Sequence, residues 1–116
     1  ELMNKKEILL KNSKILILGV AYKKDIGDTR ESPALDIIES FLGKSVDISY
    51  CDPHVDELTV NNISIFREEN IENLSSYDLI LIHTPHSKFQ EINFDEVTSL
   101  IFDSTGSFTI SNAIRL

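Results

Sequence analysis

Two stretches decide the architecture: KILILGV at residues 14–20 and YDLILIHTP at residues 77–85. Each is a near-continuous apolar run bounded by polar or turn-forming residues. That is the pattern of a strand covered on both faces in the middle of a parallel sheet. Pro85 terminates the second run.

The segments around these runs alternate in type. Ser32 and Pro33 fit the N-cap and first position of a helix, and Leu35, Ile38, Phe41 and Leu42 recur at helical spacing until Gly43 supplies a stop. VDISYCDP (46–53) alternates and ends at a proline, NISIF (62–66) reads as a short strand, and REENIENL (67–74) as a short acidic helix. INFDEVTSL (92–100) predicts a helix with Asn93 as N-cap, and IFDSTG (101–106) a final strand ending in a polar turn. The series predicts an α/β fold: an open, mostly parallel, Rossmann-like sheet with helices on both faces. Residues 1–12 hold good helix formers but are too few to be stable alone in water, so they are expected to end a longer helix. Residues 13–116 then form the domain.

Composition bounds the function. A chain of 116 residues, 41% hydrophobic and 26% charged, has room for one domain with one core. Its net charge of -8 argues against general attraction to nucleic acid or an anionic membrane. No apolar run approaches the roughly 20 residues that span a bilayer, and no signal peptide is evident. A cytoplasmic location is the expectation. The single cysteine, Cys51, excludes an internal disulfide.

In open α/β sheets, ligands sit beyond the carboxyl ends of the strands, near the point where strand order reverses. The loops expected there are AYKKDIGDTRES, CDPHVD, HTPHSK and DSTGS, which carry nearly all the unusual polar chemistry of the chain. A Gly-x-Gly-x-x-Gly dinucleotide fingerprint is missing after the first strand, since Gly19 is followed by Val20 and a long basic turn. An anion would instead be held by side chains, with Lys23 and Lys24 as point charges and Arg30 as a planar fork. Phosphate suits that arrangement. A solvated loop whose charges pair with Asp25, Asp28 and Glu31 fits the same spacing.

LGVAYKKDIGDTRESPALDIIESFL (18–42), followed by YCDPHV (50–55), resembles the C-terminal domain of the UDP-glucose/GDP-mannose dehydrogenase family, with weaker likeness across the rest of the chain. The resemblance implies an NAD-dependent enzyme that oxidises the 6-hydroxyl of a UDP-sugar to a carboxylate, forming uronic acids for surface polysaccharide. It further implies an N-terminal domain that binds most of the NAD, a central helix for homodimerisation of which residues 1–12 are the end, and this domain for the UDP-sugar. Carried over by position, Tyr22 and Lys23 match contacts to the UDP-sugar, Arg30 matches an arginine reaching the NAD pyrophosphate, and Asp28 and Ser32 match structural positions.

The family's nucleophilic cysteine belongs to another segment, so this chain is expected to hold no catalytic residue and to be inactive alone. Cys51 reads as a small buried hydrophobe. His54, His83 and His86 lie on different loops without a ligand cluster at zinc spacing, and no metal site is expected. His86, in TPHSKF, is expected to line the crevice as a third substrate-binding residue. DSTG (103–106) lacks the basic residue many members carry there, which with TPH points to the branch acting on UDP-N-acetylhexosamines. A non-catalytic receiver-like or dimerisation module is the alternative; a receiver, however, needs paired acids where this chain has Val-Ala-Tyr-Lys-Lys.

Overall fold

Ile15, Leu16, Ile17 and Leu18 are fully buried, and alternate members of the run pack to opposite faces of one sheet. They form strand β1 (Lys14–Leu18) in a computed structural model that describes residues 12–108, 110 and 113–115. The helix expected at residues 1–12 lies outside the described residues except for Asn12, which sits in a turn with φ 63°.

The remaining strands are β2 (Asp47–Cys51), β3 (Thr59–Val60), β4 (Ile63–Ser64), β5 (Phe66–Arg67), β6 (Leu79–Ile82), β7 (Leu100–Asp103) and β8 (Ala113–Arg115). Six of them make one sheet in the order β5-β2-β1-β6-β7-β8, and every pairing in it is parallel. From β1 the chain builds outward to β2 and β5, then returns to the other side of β1 at β6. Strand order therefore reverses between β1 and β6, which opens a crevice at their carboxyl ends.

Helix α1 (Pro33–Phe41) starts as its caps dictate: the Ser32 side chain accepts from the Ala34 N–H, and proline fills the first turn. Ala34 and Ile38, one turn apart, are buried against Ile15 and Ile17. The helix ends where Gly43 takes φ 82°, a left-handed conformation that glycine adopts freely.

The opposite face differs from the sequence expectation. Only a 3-10 turn at Phe94–Glu96 stands where a helix over 92–100 is expected, and the Asn93 side chain makes no cap bond. Ile92, Val97 and Thr98 are β-branched and disfavour an isolated helix. The segment is held instead by aromatic anchors, Phe89 and Phe94, with Phe94 edge-on to Phe108 at 5.3 Å. The acidic helix is likewise 3-10, over Ile71–Ser76, capped by Asn70. NISIF divides: β4 pairs antiparallel with β3 as a hairpin, and β5 joins the main sheet. IFDSTG is not the last strand, since β8 lies parallel beside β7.

Candidate functional site

Because the main sheet is parallel, the loops after β1, β2, β6 and β7 emerge on one edge. The β1 loop leaves through Gly19, whose φ of 83° brings the backbone against Thr84. A Cβ there would stand 2.4 Å from the Thr84 carbonyl oxygen, so the close approach of the two loops requires glycine. Gly27 plays the same part further on, where a Cβ would lie 2.4 Å from the His54 carbonyl oxygen.

A buried carboxylate anchors the assembly. Asp52 is 1% exposed and accepts from the Val20 N–H and His86 Nε2 on Oδ2, both at 2.8 Å, and from the His54 N–H on Oδ1. Burial alone raises a carboxyl, but the bonds from His86, Val20 and His54 outweigh it and hold Asp52 below its usual range. His86 receives the Asp25 N–H on Nδ1 at 2.8 Å. The Asp25 carboxylate takes the Ser87 N–H and hydroxyl at 2.7 and 2.6 Å, which keep it ionised below the usual carboxylate range. Thr84 Oγ1 donates to the Ala21 carbonyl, leaving its oxygen to accept from His83 Nδ1, and burial lowers the His83 pKa.

The expected ligand-binding residues are thereby placed. Tyr22 is 55% exposed at the loop surface, and Lys23 and Lys24 follow it, also exposed. Among the described residues neither lysine makes an ion pair within 4 Å. Arg30 differs, because its fork closes on Asp28, and those hydrogen bonds hold Asp28 down at about 2. Direct pairing within the loop is thus realised at Arg30, while Lys24 acts on Asp25 only at longer range. Tyr22, Asp28, Arg30 and Glu31 line an open pocket, and Ser32 caps the helix.

His86 requires a correction. It does not line the crevice: it is fully buried with both ring nitrogens bonded, because TPHSKF folds back under the basic loop. His54 and Asp25 do come close to it, with ligand atoms within 4.8 Å of one another. The lone pair of His86 Nδ1 is nevertheless committed to the Asp25 N–H, so His86 itself offers no free ligand atom in this arrangement. His83 and Cys51 stand apart from that cluster. Asp103 is buried and accepts from Thr105 N–H and Oγ1 and from Gly106 N–H, so the DSTG turn is internally satisfied. Sequence reasoning missed Asp52 as the anchor. Its local signal was present: an aspartate before Pro53 that accepts from the N–H two residues on.

Comparison with known proteins bears on this edge of the sheet. The model of the UDP-glucose/GDP-mannose dehydrogenase family, UDP binding domain, matches residues 16–115. UDP-glucose 6-dehydrogenase of Rickettsia prowazekii is 35% identical over 96 residues, 79% of this chain and 22% of that protein. UDP-N-acetyl-D-mannosamine dehydrogenase of Methanococcus aeolicus is 34% identical over 97 residues, 82% of this chain and 20% of that protein. Among solved structures, the UDP-N-acetyl-mannosamine dehydrogenase Cap5O from S. aureus superposes with a TM-score of 0.68 at 25% identity, over 98% of this chain and 28% of that one. The UDP-D-ManNAc dehydrogenase from Pyrococcus horikoshii gives 0.74 at 24% identity, over 97% of this chain and 27% of its own, and supports the fold. The chain spans about a fifth of the length of the curated relatives it matches.

Proposed function

The chain belongs to the UDP-glucose/GDP-mannose dehydrogenase family, as its UDP binding domain, and from that premise we propose that residues 13–116 hold the UDP portion of a UDP-sugar on the loop after β1. One observation carries the reading. Asp25 is bonded by Ser87 and Asp28 by Arg30, while Lys23 and Lys24 are exposed and make no salt bridge within 4 Å among the described residues, Lys24 acting on Asp25 only at longer range. The loop's three basic and three acidic side chains balance, but Arg30 is closed on Asp28 while Lys23 is held out to solvent, so an ammonium is presented to an incoming anion at the crevice where this fold binds ligands. Lys23 supplies a charge-assisted donor to a ligand oxygen, and the exposed Tyr22 ring a surface beside it.

The activity proposed for the whole protein is oxidation of the sugar 6-hydroxyl to a carboxylate, with NAD as hydride acceptor. This domain has no glycine-rich fingerprint and no placed nucleophile, so it contributes only the Arg30 fork to a pyrophosphate held mainly by another domain. Residues 1–12 are proposed as the end of a dimerisation helix, the N-terminal NAD domain and a second copy as partners, and the cytoplasm as the location. The DSTG turn, which lacks a basic residue, together with TPH favours a UDP-N-acetylhexosamine as the sugar.

Calorimetric titration of the 116-residue chain tests the central reading. UDP should bind, and should raise the melting temperature, because a ligand selective for the folded state stabilises it. Incubation with NAD and UDP-sugars should give no NADH. Binding of inorganic phosphate as tight as that of UDP would reduce the loop to a general anion trap.

A further inference from the structure

We propose that the buried Asp52–His86 pair is the positioning element that fixes residues 20–31 for anion binding, a role that rests on the UDP-binding reading above. His86 Nδ1 accepts the Asp25 N–H, so that nitrogen carries no proton. Nε2 therefore carries it, and donates to Asp52 Oδ2 at 2.8 Å. The geometry assigns His86 a single neutral tautomer, acceptor on one side and donor on the other.

What the pair holds reveals its purpose. Asp52 takes the N–H of Val20, at the start of the basic loop, and of His54, on the facing loop. Through His86 it also reaches Asp25 in the middle of the basic loop. Each of these bonds ends on the two loops that flank the ligand edge. A buried carboxylate with a polar partner is rarely a gain over apolar packing of similar volume, so its value is in what it orients.

Asp25 shows the orientation being imposed. It holds φ 62°, a conformation non-glycine residues seldom adopt, and is pinned there by His86 on its N–H and Ser87 on its carboxylate. Lys23 stands two residues earlier and Arg30 five later. With the bridge intact, their backbone is set before the ligand arrives, and binding need not order the loop. His86 is thus a positioning residue that never touches the ligand.

His86→Gln keeps a donor toward Asp52 and gives up the acceptor for Asp25; His86→Ala removes both. UDP affinity of the 116-residue chain is measured by calorimetry at a temperature where each variant is fully folded, so that lost stability alone leaves it unchanged. Amide exchange is followed in parallel. Both variants should bind UDP at least tenfold more weakly, with faster exchange concentrated in residues 20–31. If His86→Ala fails to fold, His86→Gln decides alone. UDP affinity within twofold of the parent in a folded variant overturns the proposal, whatever the loop amides do. Failure of the parent itself to bind UDP removes the function reading. The latch then stands on exchange: selective loss of protection in residues 20–31 sustains it, and unchanged protection sinks it.

Discussion

Arg30 lays its guanidinium on the carboxylate of Asp28, Nε at 3.0 Å from Oδ1 and Nη2 at 2.9 Å from Oδ2, although the arginine side chain is 88% exposed. Asp28 thus occupies the fork as a bound anion would. An exposed pair of this kind is strongly screened, so a ligand with two phosphates can displace it. Arg30→Lys keeps the charge and loses the fork. In the longer enzyme proposed above, its apparent affinity for NAD should fall, while UDP binding by this chain stays within about twofold of the parent. Unchanged NAD kinetics would remove Arg30 from the cofactor.

Lys23 gives the sharper test of the loop itself. Losing a charge-assisted hydrogen bond costs about 1.5 to 3 kcal/mol, roughly tenfold to more than a hundredfold in affinity. Lys23→Ala should weaken UDP binding by that factor without changing the melting temperature of the unliganded chain, since the side chain is exposed and makes no ion pair among the described residues. Equal affinity in parent and variant would leave the loop a solvated turn.

β1 and β6 were legible because strands covered on both sides need apolar residues at every position, and α1 because Ser32, Pro33 and Gly43 mark its ends in local chemistry. The cover of the second face was not. Apolar residues at 92–100 report that the segment is buried, but the choice between α and 3-10 turns is made by where Phe89 and Phe94 must dock. β8 was illegible for a related reason: a short edge strand carries little signal without its neighbour. At the site, Lys23 and Arg30 stood out as charges against an acidic chain. The Asp52–His86 bond joins residues 34 apart and exists only once β2 and β6 flank β1. No spacing rule could place it.

Two glycines with the same backbone sign should respond differently to alanine. Gly19 and Gly43 have φ of 83° and 82°, but a Cβ on Gly19 meets the Thr84 backbone at 2.4 Å, whereas one on Gly43 meets nothing within 4 Å. Gly43→Ala then carries only left-handed strain, about 1–2 kcal/mol. Gly19→Ala adds overpacking against a backbone atom that cannot swing away, for a total of roughly 2–5 kcal/mol. Urea unfolding of the two variants reads the difference, and equal midpoints would mean that the loops are not in contact at Thr84.

Cys51, at the end of β2, is 5% exposed, and burial first, then the nearby Asp52 and Glu68 charges, push its thiol up to about 11 from 9.0. A thiol that is both covered and protonated is a poor nucleophile, so iodoacetamide at pH 8 should label it only after denaturant unfolds the chain. The same shift fixes a pH dependence. Between about 9 and 11 the unfolded chain has released this proton and the folded chain still holds it. The folded state binds more protons there, and stability falls as pH rises through that window. With roughly 1.4 kcal/mol for each pKa unit, the loss is on the order of 2–3 kcal/mol. Tyr77, raised to about 12 from 10.0 by burial and by its bond to Glu68, adds a loss of the same sign starting one unit higher. Cys51→Ala should therefore flatten the decline most between pH 9 and 10, where the thiol is the first of these raised groups to titrate in the unfolded chain, and leave a residual slope above it from Tyr77 and Tyr50. An identical alkaline profile in parent and variant would place the thiol in contact with solvent, and rapid labelling of the folded chain at pH 8 would say the same.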